Sequence, residues 1–159
     1  MNRKALLEFV RLHRLAVEAT VSAAGAAQAA VVGFAATDQF EIVFDTLETT
    51  RKAANLRQNR RVALVIGGLA PGDERTVQYE GLADEPSGAD LERVRAAYYA
   101  VYPDGPSRLN WPGLIYIRVR PTWVRYSDYT RDPPEIVEFT GGSLVPSRRI
   151  DAEIDRGGE

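Results

Sequence analysis

The segment Asp45-Thr46-Leu47-Glu48-Thr49-Thr50-Arg51-Lys52 concentrates the side chains best suited to hold a ligand. A β-prone run, Phe40 to Asp45, leads into a run of helix formers, Thr50 to Asn59, with Thr50 placed to cap the helix. The first turn of a helix presents free N–H groups and a partial positive charge. Arg51 and Lys52 therefore stand at the end of their own helix where cations are disfavoured. An anion bound there, most simply a phosphate, would collect the N–H groups, the hydroxyls and both cations. The plain alternative is that both side chains extend into water, which costs only a few tenths of a kcal/mol.

Other chemistries are excluded by what the chain lacks. Its 159 residues contain no cysteine, one histidine (His13) and one methionine (Met1). Disulfides, thiolate nucleophiles, Cys-based metal centres and a multi-His site within one chain are ruled out. A Ser-His-Asp hydrolase would have to use His13, and no Gly-x-Ser-x-Gly elbow exists. His13 falls on the apolar face of a short amphipathic helix, residues 3–14, so packing is its expected role. With Lys+Arg 20 against Asp+Glu 22 the net charge is −2, which leaves nothing to hold a nucleic-acid backbone. The N-terminal apolar residues are interrupted by Glu8, Arg11 and Arg14, so no targeting or membrane-spanning segment is read, and a cytoplasmic location is expected.

The elements that must position the Asp45–Lys52 segment are mostly strands. Leu15, Val17, Ala19 and Val21 alternate along one side of a half-buried strand, and a turn at Ser22–Gly25 leads to a second strand, Gln28 to Phe34. With Phe40 to Asp45 these suggest a meander of adjacent antiparallel strands. After the helix at Thr50–Asn59 come strands at Arg61–Gly67 and Arg75–Glu85, then a helix at Ala89–Tyr102. A Pro/Gly loop from Pro103 to Gly113 holds Trp111, and two strands, Leu114–Arg120 and Trp123–Asp128, meet at Pro121. Strands that cluster rather than alternate with helices argue for a small antiparallel barrel with helices outside, not a doubly wound sheet. One domain is expected over residues 1–128, and 129–159 is expected to be an extended tail rich in Pro, Gly and charge.

The strand ending in Asp45-Thr46, the run Thr50-Arg51-Lys52-Ala53, the run Asn59-Arg60-Arg61-Val62-Ala63-Leu64-Val65 and the strand Thr76-Val77-Gln78-Tyr79-Glu80-Gly81 follow one another in compatible spacing. From Ala16 to Gly81 the chain thereby resembles the pyridoxamine 5′-phosphate oxidase-like family of FMN-binding split β-barrels, and Ile117–Pro121 extends the likeness. The resemblance implies a mainly β split antiparallel barrel with flanking helices, a homodimer, and FMN at the subunit interface. It places the FMN phosphate on Thr50, Arg51 and Lys52, with Asp45 and Thr46 along the flavin. Ala30, Val31 and Val32 would run beside the ring system through backbone groups. The family's glutamine on the later strand falls on Thr76, with Gln78 on the same face as its substitute. Trp111 is the aromatic best placed, in its loop, to stack on the cofactor.

The departures from the family pattern are as informative. Ala30 and Ala35 stand where biosynthetic pyridoxamine phosphate oxidases carry arginine and lysine, and Ser127 falls near their C-terminal tryptophan. Their basic substrate-phosphate segment has no counterpart after Tyr102, and Arg60 replaces the common turn proline. The expectation is therefore a flavin-dependent oxidoreductase acting on an unidentified small molecule other than a B6 vitamer, with NAD(P)H a candidate donor. No catalytic side chain is named, since the flavin would carry the chemistry. A deazaflavin coenzyme on the same barrel and a non-catalytic flavin- or haem-binding module remain the alternatives. Arg118 and Arg120 alternate with Ile117 and Val119, so they are expected to face solvent or a subunit interface.

Overall fold

The computed structural model describes residues 1–141 and 144–149. In chain order it runs α1 (Arg3–Arg11), β1 (Leu15–Val21), β2 (Ala27–Gly33), β3 (Ala35–Ala36), β4 (Ile42–Leu47), α2 (Arg51–Gln58), β5 (Arg61–Gly67) and β6 (Arg75–Asp84). Then follow α3 (Gly88–Val101), a 3-10 turn at Gly105–Arg108, β7 (Leu114–Asp128), β8 (Glu135–Thr140) and β9 (Val145–Arg149). The strands pair in the order β2-β1-β5-β6-β7-β4-β3, with β8 added beside β7 and β9 beside β8. Every pairing is antiparallel. β2 and β3 lie at opposite ends of that order, yet only Phe34 separates them in the chain. The sheet must therefore curl until its ends approach, which makes a split antiparallel β-barrel.

The helices follow from local chemistry. Asn2 caps α1 by accepting a hydrogen bond from the Ala5 N–H at 2.9 Å, and Leu6, Leu7, Phe9 and Val10 bury its apolar face. Inside the barrel these meet Phe34, Phe40, Ile42, Phe44, Leu64, Ile66, Val77 and Phe139. His13 packs against Phe9, ring centroids 4.7 Å apart, and its Nδ1 lies 2.9 Å from the Phe9 carbonyl oxygen. α3 covers the outside of β3, β4 and β7, where Val94 and Tyr98 meet Ala35, Val43 and Tyr116.

Four expectations change. The meander holds only for β1 and β2, because β4 pairs with β3 and β7, and β5 takes the other edge of β1. The two final strands are one, β7, running through Pro121. β4 pairs with β7 as far as Val119 and β8 pairs with it from Trp123, so the missing N–H of Pro121 falls where β7 has no partner on that side. A register shift sits opposite, at Glu80/Gly81, where a Cβ on Gly81 would lie 2.4 Å from the Arg120 carbonyl oxygen. The segment after Tyr129 is not merely an extended tail: residues 135–140 form β8 on β7, and β9 pairs with β8. Residues 142–143 and 150–159 of that segment lie outside the described residues. Finally, Arg118 is buried, because α3 lies over that face of the sheet and brings Asp90 to it.

Candidate functional site

In a β-strand successive side chains point to opposite faces, and this alternation divides the Asp45–Lys52 segment. Along β4, Val43 belongs to the cluster under α3, whereas Ile42 and Phe44 face the barrel interior. Asp45 takes the α3 side. Its carboxylate accepts a hydrogen bond from the Tyr98 hydroxyl at 3.0 Å and from Arg108 Nε at 2.9 Å. Burial, then the Asp45 charge, pushes the Tyr98 phenol well above its ordinary range, so it stays a donor. Thr46 takes the other side, its hydroxyl 3.2 Å from that of Thr50. Thr50 caps α2: its Oγ1 accepts from the Ala53 N–H at 3.4 Å and donates to the Leu47 carbonyl at 2.9 Å.

α2 then carries Arg51 and Lys52 onto a cleft of about 280 Å³ lined by Thr50, Arg51, Lys52, Ala29 and Ala30, with Glu18, Thr20 and Gln28. Among the described residues, no hydrogen bond or ion pair engages the Arg51 or Lys52 side chain, whereas Arg57, on the same helix, pairs with Glu48 and Glu85. Two adjacent cations at a helix N-terminus with no acidic residue in its first turn are electrostatically unresolved. The donor set suits a phosphate ester, and the alanines of β2 leave room for a flat group beside it.

The floor of the cleft is polar, which the sequence pattern did not suggest. On β1 the side expected to be buried is turned outward: Leu15 is exposed, Val17, Ala19 and Val21 are half-buried, and Ala16, Glu18 and Thr20 are buried. Asn55 of α2 holds this floor, its Nδ2 donating to Thr20 Oγ1 at 2.9 Å and to Gln28 Oε1 at 3.0 Å. Glu18 is only 1% exposed, and among the described residues its Oε2 has no hydrogen-bond partner. Burial raises its pKa, opposed in part by the charge of Lys52. The available signal was a carboxylate inside a strand whose other face was already apolar: charge is buried only where something answers it.

The remaining expected residues do not gather in this cleft within one chain. Val32 points inward and is buried, but Val31 points outward and is 61% exposed. Thr76 and Gln78 lie on the outer face of β6, alternating with buried Val77 and Tyr79. Trp111 is exposed, two residues before Gly113, whose carbonyl accepts from the Glu48 N–H at 2.8 Å and so ties its loop to the β4–α2 junction. Among the described residues no group of His, Cys, Asp and Glu could hold a metal ion, and no helix is long and apolar enough to cross a membrane.

The profile of the pyridoxamine 5′-phosphate oxidase family matches residues 3–128. The chain belongs to that family. Its fold is shared by solved structures of differing description. One is a haem-binding protein of Mycobacterium smegmatis, at TM-score 0.75 and 18% identity over 91% of this chain and 60% of that one. Another is a pyridoxamine 5′-phosphate oxidase-related, FMN-binding protein of Nostoc punctiforme, at TM-score 0.71 and 13% identity over 94% and 96%. A third is the haem storage protein HutZ of Vibrio cholerae, at 0.65 and 16% over 75% and 89%. This family member spans 60% of the Mycobacterium smegmatis chain and 57% of a similarly folded Agrobacterium tumefaciens protein. At these identities the likeness concerns the fold. No curated protein matches.

Proposed function

We propose that this chain binds FMN through the α2 cleft and works as a flavin-dependent oxidoreductase on a small molecule other than a B6 vitamer. The observation that carries this reading is the pair of unengaged cations, Arg51 and Lys52, at the N-terminus of α2 beside a cleft of phosphate size or larger. Arg51 and Lys52, with the N–H groups at the start of α2 that the Thr50 cap sets in place, would hold the phosphate, and the Ala29–Ala30 stretch of β2 would lie beside the rest of the molecule. When bound, the flavin supplies hydride or electron transfer, while the chain supplies orientation and electrostatics. A haem centre is disfavoured because haem iron is commonly held by an imidazole. The residues lining the cleft include no His, and no Cys, Met or Tyr either, the other side chains that hold haem iron.

A homodimer belongs to the same proposal. The outer face of the sheet shows a row Val31–Val17–Val65 and a row Ala29–Ala19–Ala63 across β2, β1 and β5. Val31 and Val65 are exposed in the single chain, and Leu15 and Leu82 are exposed on the same face. A second copy would cover this surface and bring its own Thr76 and Gln78 into the same interface. Sedimentation showing a monomer at micromolar concentration would remove this part.

The test is a fluorescence titration of the full chain with FMN and with riboflavin, which lacks the phosphate. FMN is expected to bind far more tightly, because only it engages Arg51 and Lys52. Equal affinities would refute the phosphate assignment.

A further inference from the structure

We propose that Glu18 is a binding residue of the α2 cleft that acts as a carboxylic acid, donating a hydrogen bond to the bound phosphate, so that phosphate binding draws a proton into the site. The proposal rests on the reading of the cleft as a phosphate site and adds a proton-linked ligand group to it.

Glu18 lacks matching partners in the folded chain: its Oε2 is buried with no hydrogen bond among the described residues, and an orphaned buried carboxyl oxygen is costly. Of the two amides of the cleft floor, Asn55 spends its Nδ2 on Thr20 and Gln28, and among the described residues neither Asn55 nor Gln28 donates to Glu18 Oε2. On either side in the sheet, Glu18 is opposite Ala30 of β2 and Leu64 of β5, neither of which offers a side-chain donor. From α2 it faces Lys52 and Arg51, the charged groups that share the cleft with it. A phosphate dianion entering between these cations and Glu18 offers acceptors only. An ionised Glu18 would meet it as a like charge with no shared proton, whereas a protonated Glu18 supplies the donor that the phosphate oxygen lacks on that side. Burial already favours the neutral acid, and an anion that occupies Lys52 removes the charge that opposes it. The proton comes from solvent and resides on the Glu18 carboxyl, and no bond other than that O–H is formed.

The consequence is a pH-dependent affinity with a defined sign. Between the pKa of Glu18 in the free protein and its higher value in the complex, affinity for FMN falls about tenfold per pH unit. Calorimetric titration in buffers of different ionisation enthalpy should show net proton uptake on FMN binding in that window. Glu18→Gln keeps the shape and supplies a permanent N–H donor, so it should bind FMN with that slope and that uptake abolished. Glu18→Ala should bind more weakly and likewise without the slope. Wild-type binding with no proton uptake, or uptake undiminished in Glu18→Gln, overturns the proposal. Inorganic phosphate serves as a second probe. If FMN fails to bind but phosphate binds with uptake that Glu18→Gln abolishes, the flavin reading falls and this one stands. If neither probe brings a proton into the site, this one falls.

Discussion

Two groups of charge in this molecule are built by opposite rules. In one, Arg118 of β7 places its Nε and one terminal nitrogen on Asp84 at 2.9 and 2.8 Å, and its other terminal nitrogen 3.1 Å from Asp90 and 3.6 Å from Glu41. Arg93 of α3 adds a two-pronged pair to Glu41, and Thr37 donates to the same carboxylate at 2.9 Å. In the other, Arg51 and Lys52 stand unengaged above a buried carboxyl that lacks a partner on one oxygen. At Glu41 burial favours the neutral acid, but the hydrogen bonds from Arg93 and Thr37 outweigh it and hold the carboxyl below its usual range. At Glu18 burial prevails over Lys52 alone. A completed network locks β7 to β6 and α3, and an uncompleted one marks where a ligand would finish the accounting of donors and acceptors.

The comparison is broken most easily at its stronger end. Arg118→Met takes two charge-assisted hydrogen bonds from Asp84, which keeps only Arg120, while Glu41 keeps Arg93 and Thr37, and a loss of about 1.5–3 kcal/mol is expected in denaturant unfolding. FMN affinity of the folded fraction should not change, since Arg118 lies outside the cleft. Arg51→Ala should do the reverse: unfolding free energy nearly unchanged, and FMN affinity lowered about 10- to 150-fold through loss of a charge-assisted hydrogen bond. If either variant shifted both quantities together, the division into a structural and a ligand-directed cluster would fail.

The pH response sharpens the same division. Glu41 and Asp84 have depressed pKa values in the folded chain, from ordinary values of 4.5 and 3.8. Their contribution is full above those values and is lost as pH falls through the depressed ones. Glu18 has a raised pKa, so its contribution is full below 4.5 and is lost as pH rises through the folded value. Urea unfolding across pH should therefore show an acid-side loss that Glu18→Gln retains, together with a loss at higher pH that Glu18→Gln removes. A wild-type curve flat above pH 4.5 would contradict the second half.

The two clusters also differ in how legible they were. Arg51 and Lys52 stood out because cations at a helix start violate a local rule, and local rules are visible in sequence. The three helices and most strands were legible for the same reason, down to Arg61–Gly67 as a nearly continuous apolar strand, whereas β7 read as two strands and β8 and β9 as tail. Arg118 misled because alternation tells only that it opposes Ile117 and Val119. That α3 covers its face depends on a contact between segments far apart in the chain. β1 misled in the same way, its apolar side facing outward. Glu18 is functional-looking only once β2, β5 and α2 are assembled around it.

Thr50 gives the smallest effect and the finest test, because it lies at the boundary between the two rules. The resemblance assigns its hydroxyl to the phosphate, yet the structure already engages that oxygen with the Ala53 N–H, the Leu47 carbonyl and the Thr46 hydroxyl. The hydroxyl proton goes to Leu47, so what remains for a ligand is only an acceptor, and a phosphate needs donors. Thr50→Ala should therefore lower stability by about 1 kcal/mol, as the loss of a helix cap does, while changing FMN affinity less than Arg51→Ala. Thr50→Ser restores the cap and should restore the stability with it. An affinity loss in Thr50→Ala comparable to that of Arg51→Ala would mean that the hydroxyl turns from Leu47 to the ligand on binding. The cap would then be a part of the site that rearranges rather than the fixed frame on which Arg51 and Lys52 are mounted.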